Sequence, residues 1–62
     1  MDPNANLKRQ QELLPEVRTN SYARYEMYEL RVALRDWMSN GGIAPEWEKY
    51  PEATAAFQRW SR

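Results

Sequence analysis

Apolar positions along this chain recur at intervals of three and four, the spacing of one helix face. Asp2-Pro3 opens the first segment with a side chain suited to capping, followed by a residue whose missing N–H has no intrahelical partner at that position. The polar, helix-compatible stretch from Asn4 to Leu14 follows, with a sparse stripe of Leu7, Leu14 and Val17 and with Leu13 beside it. Pro15 removes a helical hydrogen bond and disfavours helix at Leu14, so this helix is expected to end near Leu13 or to continue, kinked, to about Arg18.

Thr19-Asn20-Ser21 then offers consecutive cap candidates ahead of the strongest segment, Tyr22 to Ser39, which contains neither Gly nor Pro. Ala23, Met27, Leu30, Leu34, Trp37 and Met38 fall on one face and predict a core stripe, while Tyr25, Tyr28 and Val32 lie on roughly the opposite side. A helix with apolar residues on both sides is either sandwiched inside its own chain or buried again in an oligomer. Asn40-Gly41-Gly42 closes it, because a Gly just past a helix takes the left-handed conformation cheaply, and Ile43 is placed for the apolar contact that often accompanies such a cap. Pro45 is expected to start a short helical turn over Glu46 to Tyr50, and Pro51 a helix to about Trp60. In that last segment Tyr50, Ala53, Phe57 and Trp60 form a face expected to pack back over Trp37 and Leu34. The expected fold is all-α: one domain over residues 1–62, with two main helices plus a short C-terminal helix, associating through the central one.

Composition changes the picture in two ways. Ile, Leu, Val and Phe number only nine, against three Trp and four Tyr, so large aromatic areas must carry much of any core or interface. In a chain of 62 residues, moreover, the return from burying apolar area nearly cancels the cost of ordering the chain, which argues for a homodimer or a partner protein. The nine Lys+Arg and nine Asp+Glu cancel, leaving no net charge for the non-specific phosphate attraction that nucleic-acid binders use. With no Cys and no His there is no thiol or imidazole catalysis, no zinc site of the usual kind and no disulfide. No basic and apolar leader and no membrane-length apolar run is present, so a cytoplasmic location without membrane attachment is expected.

The candidate chemistry concentrates on the central helix. Tyr22, Tyr25 and Tyr28 share a side, with Arg24 and Arg31 nearby. Arg24, Arg31 and Arg35 also share a side, and Glu26, Glu29 and Asp36 occupy the other flank. Tyr beside Arg is the composition of protein-interface hot spots and equally of a single-stranded nucleic-acid platform, while a merely solvated surface explains the charges alone. The candidate interface is therefore Tyr25, Tyr28, Val32, Arg24, Arg31 and Arg35. Met27, Leu30, Leu34, Trp37, Phe57 and Trp60 are assigned to the core and Gly41-Gly42 to the helix cap rather than to a phosphate loop. Trp37, Trp47 and Trp60 could stack a ligand, but their helical spacing beside other apolar residues favours packing. A helix-turn-helix around Gly41-Gly42 would present Glu46, Glu48 and Glu52 against Lys49 alone, the wrong sign for phosphate. Carboxylate chemistry needs a desolvated pocket that so short a helical chain hardly provides, so neither an enzyme nor a cofactor or metal is expected.

The opening Met1-Asp2-Pro3-Asn4-Ala5-Asn6-Leu7, and the stretch Leu34-Arg35-Asp36-Trp37-Met38-Ser39-Asn40-Gly41-Gly42-Ile43-Ala44-Pro45-Glu46-Trp47, resemble small uncharacterised proteins encoded by actinobacteria and their phages. Those open M-D-P-N-x-x-L and later carry L-x-x-W-L-S-x-G-G-x-x-P followed by an aromatic residue. The match covers about a third of the chain. This sequence departs in having Trp47 so close behind Pro45, in its aromatic tail from Tyr50 to Trp60, and in a Tyr-rich middle from Glu12 to Val32. The resemblance implies a phage or host source and supplies no activity and no catalytic residue. The function expected is a small interaction protein that binds a host or viral protein, the alternative being a DNA- or RNA-associated regulator using the Tyr/Arg side.

Overall fold

Asp2 caps the first helix by accepting from the amides of Asn4 and Ala5 at 3.0 and 3.1 Å. In the computed structural model, which describes all 62 residues, that helix is α1 (Pro3–Leu13); α2 (Ser21–Ser39) and α3 (Pro51–Trp60) follow, and there is no strand. The fold is all-α. At Pro15 the α-helical ladder loses a donor, so α1 stops at Leu13 and the chain tightens into a 3-10 turn at Leu14–Glu16. Of the three cap candidates before α2, Asn20 takes the role, its side chain accepting from Tyr22 and Ala23.

The end of α2 is a full Schellman closure. Gly41 sits at φ +88°, its amide donates to Met38 O, and the Gly42 amide donates to Trp37 O at 2.8 Å. The Trp37 indole lies against Gly42 so closely that a Cβ there would collide with it, and its Nε1 donates to Ile43 O at 2.9 Å. One side chain thus seals both the helix end and the loop. The expected apolar contact from Ile43 does not form: the residue is 80% exposed, and the Trp37 ring covers Gly42 instead. The turn after Pro45 is also shorter than expected, a 3-10 turn at Trp47–Lys49, since Glu46 has a non-helical backbone (φ −81°, ψ 85°) and its amide donates to Asn4 Oδ1 at 2.7 Å.

Packing divides into two apolar clusters along α2. Leu7, Leu34, Ala53 and Phe57 are buried together, with Trp37, Met38, Trp47, Tyr50 and Trp60 half-buried around them. Leu13, Ala23 and Met27 form the other, flanked by Leu14, Val17 and Leu30. Trp47 stacks on Phe57 with ring centroids 5.7 Å apart, so the aromatic tail closes over Leu34 from outside. Of the residues assigned to the core, Met27, Leu34 and Phe57 are buried, while Leu30, Trp37 and Trp60 are half-buried.

Between these clusters α1 inserts amides. Asn6 Nδ2 donates to the Leu30 carbonyl of α2 at 3.0 Å, and its Oδ1 accepts from Gln10 Nε2 at 2.7 Å. Both residues are buried, and Gln10 Oε1 has no partner. Gln11 Oε1 accepts from the Ala53 amide at 2.9 Å, satisfying an unpaired donor at the start of α3 whose own cap position, Tyr50, offers no side-chain acceptor.

Substitutions at Asn6, Gln10, Trp37 and Gly42 test these contacts. Asn6→Ala leaves the Gln10 amide buried with neither end bonded and should cost about 1–3 kcal/mol, whereas Asn6→Leu with Gln10→Leu should recover most of it, read by urea denaturation. Trp37→Ala should cost about 3–5 kcal/mol through the cavity left against Leu34, and Gly42→Ala should reproduce part of that loss while shifting the Trp37 indole N–H resonance. An unmoved indole in Gly42→Ala would show that the loop does not depend on this contact.

Candidate interaction surface

Helix α2 turns three tyrosines outward: Tyr22, Tyr25 and Tyr28 are 87%, 59% and 56% exposed. Tyr25 is kept in its phenol form by Glu29, four residues on, which raises its pKa first as an acceptor for the hydroxyl and then through its negative charge. Val32 is half-buried on the same helix, and Arg35 is exposed.

The surface is not the uniform unpartnered strip that helical periodicity implies. Trp60, at the end of α3, reaches over its Tyr28 and Arg35 edge: Tyr28 meets the indole edge-on at 6.2 Å, and the Arg35 guanidinium lies over the ring at 5.2 Å. Arg24 is turned away as well, donating from Nη1 to the carbonyls of Val17 and Arg18, and so ties the end of the 3-10 turn to α2. Tyr22, Tyr25 and Val32 therefore form one outward side, while Tyr28 and Arg31 belong to another feature. That feature is a cleft of about 330 Å³ lined by Val17, Arg24, Met27, Tyr28, Arg31 and Trp60. Periodicity could not reveal it, because it depends on where the tail of α3 lands.

Arg31 is the distinctive group in the cleft. Its Nε is buried without an acceptor, and no carboxylate is within ion-pair distance of its guanidinium. Burial first, and the positive charge of Arg59 second, push its pKa below the usual guanidinium range. Arg59, missed in the sequence reading, belongs to this group; its only sequence signal is a position next to Trp60.

The opposite flank also differs from expectation. Glu29 and Asp36 are exposed, but Glu26 reaches α1, where its carboxylate accepts from Arg9 Nε at 2.7 Å and from Nη2 at 3.0 Å in a side-on bidentate pair. The hydrogen bond from Arg9 is the main cause of a lowered Glu26 pKa. No group of three acids could hold a metal ion, and no helix is long and apolar enough to cross a membrane. Comparison of the chain with family models, curated proteins and solved structures finds no match.

Because Glu26 ionises more readily in the folded state, its stabilising effect is complete above the unfolded glutamate value of about 4.3 and is lost as the pH falls through the lower folded value. Thermal melts of Glu26→Gln should accordingly lie below the parent at neutral pH and converge on it in acid. Parallel melting curves across that range would contradict the pairing.

Proposed function

We propose that this chain is a small non-enzymatic interaction module of phage or host origin, working in the cytoplasm by binding a host or viral protein and pairing with a second copy of itself. The observation that carries the reading is the outward side of α2, where Tyr22 and Tyr25 stand exposed beside half-buried Val32. Large aromatic side chains with few rotatable bonds bury much area at low entropic cost, the property of interface anchors. A chain whose buried apolar residues are only Leu7, Leu13, Ala23, Met27, Leu34, Ala53, Ala56 and Phe57, with Pro45, gains most from covering such a side.

A second reading, a single-stranded nucleic-acid regulator, draws on the gathering of Arg24, Arg31 and Arg35 next to Tyr28 and Trp60. It is ranked lower because nine acidic residues balance nine basic ones, leaving little counterion-release gain.

Sedimentation equilibrium at micromolar concentration should return twice the 7.4 kDa chain mass. Tyr25→Ala and Val32→Glu should shift the protein toward monomer with helix content intact by circular dichroism. A monomer whose thermal transition does not depend on concentration would defeat self-association. Submicromolar, salt-sensitive binding of a labelled oligonucleotide would reverse the order of the two readings.

A further inference from the structure

The cleft between the Leu14–Glu16 turn, α2 and the end of α3 has an apolar interior and a cationic side. Val17, Met27, Tyr28 and Trp60 supply the apolar and aromatic lining, and Arg24 and Arg31 the charge. These cations differ in their freedom. Arg24 already donates to the Val17 and Arg18 carbonyls, so it forms a fixed wall. Arg35 has an ion pair with neighbouring Asp36 and lies over the Trp60 ring. Arg31 has neither kind of partner, and Arg59 near it has no ion pair either.

A partly buried guanidinium with an orphaned N–H and a second cation for a neighbour is an unfavourable arrangement for the chain alone. It becomes favourable when a planar anion in the cleft supplies the missing counter-charge and acceptors for the terminal Nη groups, which make no hydrogen bond within the chain. The lining specifies the rest of the ligand: a thioether, an isopropyl group and an indole edge reward an apolar stem next to the anion, not a fully hydrated ion. The cleft volume of about 330 Å³ holds a side chain or two, not a large cofactor.

We infer that this cleft is the docking point for an acidic residue of a partner protein, its carboxylate set against Arg31 and its apolar neighbours against Met27, Val17 and Trp60. The inference rests on the interaction-module reading and names the partner's chemistry. It is separate from the pairing side of α2, since Tyr22, Tyr25 and Val32 do not line the cleft.

The test is a titration of the full chain with two blocked tripeptides, leucyl-glutamyl-leucine and leucyl-glutaminyl-leucine, followed by the Arg31 Nε–H and Trp60 indole N–H resonances. The glutamyl peptide should move both signals saturably. The glutaminyl peptide should bind about ten-fold more weakly or less well still, the usual worth of a charge-assisted pair. Arg31→Gln, checked for native helix content, should abolish the difference between the peptides. Exposed Arg59→Gln should reduce it by a few-fold through the lost positive field, so the answer does not depend on one variant's folding. Equal binding of the two peptides, or discrimination that survives in Arg31→Gln, would overturn the inference. So would inorganic phosphate displacing the glutamyl peptide at lower concentration than the peptide itself requires, which would assign the cleft to phosphate. Because the peptides report on Arg31 alone, a monomeric result in sedimentation would count against pairing without deciding this site.

Discussion

The first helix holds the other elements in place through its side-chain amides. Asn4 accepts from the Glu46 backbone in the loop before α3, Asn6 donates to the Leu30 carbonyl within α2, and Gln11 accepts from the Ala53 amide at the start of α3. With so few aliphatic residues the apolar clusters alone would leave helices free to slide or rotate, since packing by size and hydrophobicity is tolerant of register. A hydrogen bond to a particular backbone group is not tolerant. Each amide therefore converts a loose association of helices into one arrangement. The arrangement leaves Gln10 Oε1 buried and unbonded.

The arrangement of α3 has consequences at the far end of the molecule. Gln11 and Asn4 set where α3 starts, so they also set where Trp60 arrives, against Tyr28 and under Arg35. That arrival closes one wall of the cleft and leaves Arg31 half-enclosed. Polar contacts at one end of the fold are thereby linked, through a rigid ten-residue helix, to the exposure of a cation at the other. The Schellman closure at Gly41 and Gly42 serves the same purpose from the other side, because Trp37 fixes the direction in which the chain leaves α2.

The two faces of α2 also separate by role. Tyr28 and Arg35 are engaged by α3's aromatic end, whereas Tyr22 and Tyr25 stand exposed without a ring partner. A helix 19 residues long, covered by shorter α1 and α3, keeps a long uncovered side whatever its sequence. Filling that side with tyrosine rather than lysine or glutamate suits contact better than solvation.

Local chemistry decided the elements, and they were legible residue by residue. Asp2-Pro3, Pro15, Asn20, Asn40-Gly41-Gly42 and Pro51 act within a few positions of themselves, by fixing φ, removing a donor or supplying a cap, so the helix limits follow from the sequence alone. The all-α class and the inward stripe of Met27, Leu34 and Phe57 were readable for the same reason, since helical periodicity is a short-range property. Asn6, Gln10, Gln11 and Glu26 looked like ordinary solvated positions because a polar side chain carries no mark of the distant group that will bond it. Ile43 looked like a capping contact and is exposed, the Trp37 ring lying against the cap glycine in its stead. The cleft at Arg31 had no sequence signal at all: it exists where three segments distant along the chain converge, and only the tertiary structure brings their side chains to one place.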